Sequence, residues 1–325
     1  MNRAFATLLR PFLVGACLAA AAAPAVAQTY PDRPIKLIVP YVAGGGADVI
    51  SRYIAKGLTE SLGQPVVVEN RTGAGGVVGT DYGISQPADG YTLTMVSSSY
   101  TVNPSLYDLK YDPLKDITPI VQVSKGPMVL VVNPKLGLKS VGDLIKLAKE
   151  KPDTLNYGSS GTGSVLHLAG ALFADRAGIQ MTHIPYKGGA AAMNDLVGGQ
   201  VDLYFAASAT AMPQIEGSRV TALGVTSAER VPALPNVPAI AETGFPGYDV
   251  TLWYGLIGPK DMPQPLVQRI NSEVNRILAD PEAAKKLEVD GAYAAGGTSE
   301  AFGTAIAKEV AMWRTVVDKL QIKVK

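Results

Sequence analysis

At 325 residues, with 29 basic and 28 acidic side chains and a formal charge of +1, the chain lacks the basic excess that a nucleic acid partner demands. Its 47% apolar content can fill an ample core, and its single cysteine excludes an internal disulfide framework.

The N-terminus reads as an export signal. Arg3 and Arg10 supply the positive start, Pro11 to Ala23 the apolar run, and Ala25-Val26-Ala27 the small-residue cleavage site before Gln28. The run is too short and Ala-rich for a membrane span. Residues 1–27 are therefore expected to be removed on export from a bacterial-type cytoplasm to the periplasm. Val14-Gly15-Ala16-Cys17 offers a lesser alternative, a lipid anchor at Cys17. Loss of the leader takes away the only thiol, which excludes thiolate catalysis and cysteine metal sites.

Strand and helix patterns then alternate. Ile35–Val39 reads as a buried strand, followed by a helix over 48–62 with Val49, Ile50, Tyr53, Ile54, Leu58 and Leu62 on one broad face. Strand 65–69, a short helix 76–85 and strand 91–96, ending in Ser97-Ser98-Ser99, complete a β-α-β-α-β unit with a parallel, two-sided sheet. Pro104, Pro113 and Pro119 make 103–119 a loop with short turns. The apolar stretch 120–132, interrupted by Lys125-Gly126-Pro127, is a candidate strand crossing between domains.

A second α/β series follows. Ser140 caps a helix through Glu150. Strand 155–157, helix 164–177, strand 181–184, helix 190–197 and strands 201–205 and 220–225 come next. Residues 249–257 form the second candidate crossing strand. Helices over 264–279, 281–289 and 298–320 are expected to pack back on the first domain. The predicted layout is domain 1 over 28–124 and 252–325, with domain 2 over 125–251 inserted into it. Two crossing strands then form a hinge suited to closing on a ligand.

Two small-residue turns sit where a strand hands over to a helix: Pro40-Tyr41-Val42-Ala43-Gly44-Gly45-Gly46-Ala47-Asp48 and Gly158-Ser159-Ser160-Gly161-Thr162-Gly163-Ser164. Amides at a helix start face a positive dipole end and favour an anion. Asp48 either caps the helix or fixes the loop and faces a ligand. Gly73 to Gly79 follows a strand but has the spacing G-x-G-x-x-x-G and no acidic ribose ligand, so tight helix–sheet packing is favoured over dinucleotide binding. Gly161-Thr162-Gly163-Ser164-Val165 is not a nucleophile elbow, although Ser164 and His167 lie one helical turn apart. Two isolated histidines, His167 and His183, make a poor metal site. Tyr186 and Lys187 occupy a third strand-to-helix turn, where Lys187 can balance a carboxylate or stand in solvent. Trp253 and Tyr254 are core residues or cleft walls. No catalytic set, cofactor or metal is expected.

These stretches, with Val68-Glu69-Asn70-Arg71-Thr72-Gly73-Ala74-Gly75-Gly76, Pro87-Ala88-Asp89-Gly90-Tyr91-Thr92, His167-Leu168, Pro185-Tyr186-Lys187-Gly188-Gly189 and Gly198-Gly199-Gln200-Val201-Asp202, resemble the substrate-binding receptors of tripartite tricarboxylate transporters, the Bordetella uptake gene (Bug) type. The resemblance covers essentially the whole chain after the leader. It implies an α/β fold, the two-lobed type II periplasmic-binding-protein or Venus-flytrap fold, each lobe a sheet flanked by helices. It implies a small organic mono- or dicarboxylate between the lobes and membrane permease subunits as partners. Aromatic, aliphatic and amino acids can share the anchors. Ala43, Gly45, Gly46 and Asp48 would hold one end of the ligand, and Ser160, Gly161, Thr162, Ser164 and His167 the other. Tyr41 stands where the family usually has Phe and adds a hydroxyl near the cleft. Ser97, Ser98, Tyr186, Lys187, Asp202, Phe205, Ser208 and Tyr254 complete the expected ligand-binding set. A monomeric receptor without chemistry of its own is the leading reading. A secreted α/β hydrolase using Ser164 and His167, and a ligand sensor for a membrane kinase, are the alternatives.

Overall fold

Alternating apolar runs and small-residue turns build the first half of the fold. A computed structural model describes residues 30–288 and 292–324, apart from the side chains of residues 286 and 288. The expected leader lies outside the described residues. Ile35–Val39 (β1) leads into Gly46–Leu62 (α1), then Val66–Asn70 (β2), Val77–Ile84 (α2) and Thr92–Ser97 (β3). The three strands are parallel, with β1 in the centre. Successive residues Leu37, Ile38 and Val39 are all fully buried, so both faces of β1 are covered, as parallel strands require. Val49 of α1 departs from the predicted apolar face and is 52% exposed. Gly79 of α2 explains the glycine-rich turn before it. A Cβ there would lie 2.3 Å from the Arg71 carbonyl and 2.8 Å from Pro40 Cα, so the residue is glycine for close packing.

Ser99–Leu106 (α3) replaces part of the predicted loop, with Pro104 inside it. The chain then enters Ile117–Val132 (β4), a strand of 16 residues that passes through Lys125-Gly126-Pro127 without a break. The second half continues with Val141–Glu150 (α4), capped by Ser140 as predicted, Asn156–Ser159 (β5), Val165–Ala177 (α5), Thr182–Pro185 (β6), Gly189–Gly198 (α6) and Leu203–Ala207 (β7). An unpredicted helix, Ser208–Glu216 (α7), precedes Thr221–Val225 (β8). Thr251–Pro259 (β9), Gln264–Leu278 (α8), Pro281–Glu288 (α9), the unpredicted Tyr293–Gly296 (β10) and Ser299–Leu320 (α10) end the fold.

The ten strands among the described residues join one sheet, in the order β2-β1-β3-β9-β4-β7-β5-β6, with β10 and β8 also on β4. From residue 33 onward, the described residues form one compact unit. β4 changes partners along its length. Ile117 to Pro127 pair with β9, and Met128 to Val132 pair with β7. Thr226 ties this junction together. Its backbone N–H donates to Met128 O (2.9 Å), its Oγ1 accepts from Met128 N (2.8 Å), and the same Oγ1 donates to Val250 O (2.6 Å).

The last helix serves both halves. Phe302, Ile306 and Val310 of α10 join a cluster with Val96, Tyr100, Trp253 and Ile257. Trp313, Val316 and Val317 join the core built on α5, β5 and β7. α10 thus packs on the first domain as expected for the terminal helices, and it also reaches the second half. A helix of 22 residues spans about 33 Å, long enough to touch both halves.

Candidate functional site

The strand directions place the site. β3 ends at Ser97, opposite Tyr254 of β9, and Tyr254 is itself opposite Ser124 of β4. β7 ends at Ala207, opposite Met128 of β4. The carboxyl ends of the two parallel groups thus point toward each other across Ser124–Met128, roughly 13 Å of strand at ~3.3 Å per residue. Ligands of α/β sheets sit beyond the carboxyl ends of strands.

A cavity of about 200 Å³ occupies this junction. Gly46 of α1 lines one wall, and Ser208, Ala209 and Thr210 of α7 line another. Ser124, Gly126, Leu252 and Tyr254, from β4 and β9, supply the strand face between them. Among the described residues, no charged side chain lines the cavity. The first amides of α1 and α7 have no intrahelical acceptors and sit at positive dipole ends. Such a site can hold an anion without burying a cation when it is empty.

The loop before α1 is fixed from behind. Asp48 Oδ2 accepts from Gly44 N (2.9 Å) and Arg52 Nε (3.0 Å), and its Oδ1 accepts from Asn70 Nδ2 (2.9 Å). The Arg52 hydrogen bond, opposed by burial and aided by Gly44 and Asn70, lowers the Asp48 carboxyl to about 2. Both oxygens are engaged, so Asp48 shapes the Gly44–Gly46 turn. Asp48 N and Val49 N donate to Gly45 O, which leaves the Gly46 and Ala47 amides as the donors of this helix start. Ala43 is exposed, and Gly45 is half-buried with its N–H on Val42 O.

The Tyr41 hydroxyl accepts from Ser97 N (3.0 Å) and Ser97 Oγ (2.7 Å), which fastens the loop to the end of β3. Burial raises the Tyr41 phenol above its ordinary range, against these two bonds. Ser98 is buried, and its N–H donates to Trp253 O (2.9 Å). Trp253 is a core residue that donates Nε1 to Glu309, whereas Tyr254 lines the cavity.

In the second half, the loop 159–164 is braced internally. Gly161 N donates to Ser159 Oγ, Ser164 Oγ donates to Gly161 O (2.8 Å), and Ser164 Oγ accepts from His167 N (3.2 Å). Ser164 is thus the N-cap of α5, and its contact with His167 is to the backbone rather than the imidazole. The His167 ring accepts at Nδ1 from Gly163 N (3.1 Å) and stacks on His183 at 3.8 Å between centroids. His183 Nε2 lies 2.7 Å from Ser159 Oγ. Burial lowers both imidazoles, His167 to about 3 with a further push from His183, and His183 to about 4. The pair is a neutral support for the loop. Ser160 and Gly161 are half-buried and Thr162 is exposed. Among the described residues, no group of three or more His, Cys, Asp or Glu could hold a metal ion.

The remaining predicted residues separate. The Tyr186 hydroxyl donates to Asp195 (2.8 Å), and burial with this carboxylate raises it to about 12. Lys187 is exposed. Ser208 Oγ donates to Pro127 O (2.8 Å), pinning the start of α7 to β4 at the cavity. Two expectations are corrected. Asp202 precedes β7, at the edge away from the cavity, where its Oδ2 accepts from Asn156 N (2.8 Å). Phe205 is fully buried against Phe173, with ring centroids 5.6 Å apart. Ser124, Gly126, Ala209, Thr210 and Leu252 line the cavity unforeseen. A break in the apolar run at Lys125-Gly126-Pro127 was their one signal.

Two sheet halves, facing carboxyl edges and a cavity between helix starts define a two-lobed solute-binding protein of the periplasmic-binding-protein class. Residues 50–322 match the tripartite tricarboxylate transporter family receptor, and the chain belongs to that family. Protein BugT of Bordetella pertussis is 38% identical over 307 residues, covering 94% of each chain. The solved structure of Rpa4515 of R. palustris with adipate is 34% identical, with a TM-score of 0.80 over 91% of this chain and 100% of that one. MatC of Rhodopseudomonas palustris with bound malate is 28% identical, with a TM-score of 0.75 over 89% of this chain and 100% of that one.

Proposed function

We propose that the protein captures a short organic dicarboxylate in the junction cavity and delivers it to membrane permease subunits. The observation that carries this is the pair of helix starts, Gly46 and Ser208–Thr210, on walls of one cavity with no charged lining among the described residues. The α1 start can take a carboxylate through the Gly46 and Ala47 amides, and the α7 start through its amides and the Thr210 hydroxyl. Adipate in Rpa4515 and malate in MatC support a four- to six-carbon diacid. Members of the family are periplasmic binding proteins, which supports export of this chain through its first 27 residues and a task without chemistry. The lobes, 28–124 with 252–325 and 125–251, would pivot at Ser124–Met128 and Val250–Leu252. Closure follows occupancy when the closed form makes the better ligand contacts.

A thermal-shift panel tests this reading. At a hundredfold excess over Kd, binding adds ~2.7 kcal/mol, a rise of roughly 4 °C in Tm at ~2.1 cal/mol/K per residue. Dicarboxylates should give it, and their neutral diamides should not. A flat response to every acid on ligand-free protein would refute the proposal.

A further inference from the structure

Ser124 sits on the strand face that forms the back of the cavity. Over 124–126 and 252–254, Ser124, Gly126, Leu252 and Tyr254 line the cavity while Lys125 and Trp253 do not, and Pro127 joins them where β4 changes partners. This two-residue period marks one face of β4 and β9, and cross-strand partners share a face. Ser124 is directly opposite Tyr254. It is fully buried, and its Oγ has no hydrogen-bond partner among the described residues. Other buried hydroxyls share that condition, namely those of Thr94, Ser98, Ser105, Tyr111 and Tyr204, but none of these residues lines the cavity. A buried hydroxyl without a partner is costly, and its position asks what completes it.

The amide donors at Gly46 and Ser208–Thr210 serve the ends of an extended diacid. Ser124 lies on the strand that joins the two halves, between those ends. We propose that Ser124 is a specificity residue that reads a hydroxyl or carbonyl oxygen on the ligand's carbon chain. The protein then selects substituted dicarboxylates over plain ones of equal length. The assignment rests on the receptor reading above. It also accounts for a polar side chain among Gly126, Pro127, Ala207 and Leu252, where an alanine would fit as well.

Calorimetric titration of the full-length mature protein with matched pairs tests it: succinate against malate, glutarate against 2-hydroxyglutarate, adipate against 2-hydroxyadipate. One hydrogen bond of ordinary strength gives roughly a threefold to tenfold preference for the hydroxy acid in at least one pair. In S124A that ratio should fall to about one, with the loss concentrated on the hydroxy acid. The ligand-free variant should melt no lower than the wild type, because no protein bond is removed. Equal affinity within every pair, or a preference that survives in S124A, overturns the assignment. Binding of the acids without discrimination sinks only Ser124's role, whereas failure to bind any acid sinks the receptor reading with it.

Discussion

Replacing Asp48 with asparagine tests whether the glycine turn is held by charge. The side chain keeps its size, but one of its two acceptor atoms becomes a donor facing Gly44 N and Arg52 Nε. The folded carboxyl sits at about 2 against an ordinary value of 3.8, mainly through Arg52. At 1.36 kcal/mol per pKa unit, that difference gives about 2 kcal/mol of stability at neutral pH. Because the folded value is the lower one, the contribution is complete above pH ~4 and disappears as pH falls toward ~2. About half remains at pH 3. Urea denaturation followed by circular dichroism at pH 7 and pH 3 measures it. D48N should lose about 2 kcal/mol at pH 7, and the gap between the two proteins should narrow by roughly 1 kcal/mol at pH 3. Equal stabilities at pH 7, or a gap unchanged by acid, would refute the reasoning.

Three further outcomes are expected. In G46A the new Cβ would lie 2.8 Å from the Tyr254 hydroxyl, so the ring must yield into the cavity; dicarboxylate affinity by calorimetry should drop at least about tenfold, consistent with 1–3 kcal/mol of overpacking. Burial raises Glu309 to about 7 despite hydrogen bonds from Trp253 and Thr101, so its stability contribution is full below pH ~4.5 and is lost as pH rises through ~7; urea midpoints of E309Q should gain on the wild type across that window. T226V removes the hydroxyl between Met128 N and Val250 O and should cost about 2–3 kcal/mol by urea denaturation.

The alternation of apolar strands with helical spacing made both parallel groups readable, because buried strands and amphipathic helices leave different periods in the chain. Proline hid the helices that were missed. Pro104 lies inside α3 and Pro213 inside α7, and each reads as a break unless tertiary packing is known. Pro127 did the same to β4, although it falls where the strand exchanges one set of partners for another. β10 is four residues, Tyr-Ala-Ala-Gly, and exists through its pairing with Gln122–Lys125. At the candidate site, the run Gly44-Gly45-Gly46 marked a place of close approach in the sequence, and the structure sets the Tyr254 hydroxyl against Gly46. Asp202 and Phe205 misled for a plainer reason: a strand segment shows which residues alternate, but not which end or face meets a ligand.

The most direct test is a crystal structure of the mature protein with the dicarboxylate that raises its Tm most. The account predicts one carboxylate on the Gly46–Ala47 amides, the other at Ser208–Thr210, and the carbon chain passing Ser124 and Tyr254. A ligand bound outside this junction, or held there by a lysine or arginine drawn in from the surface, would contradict it.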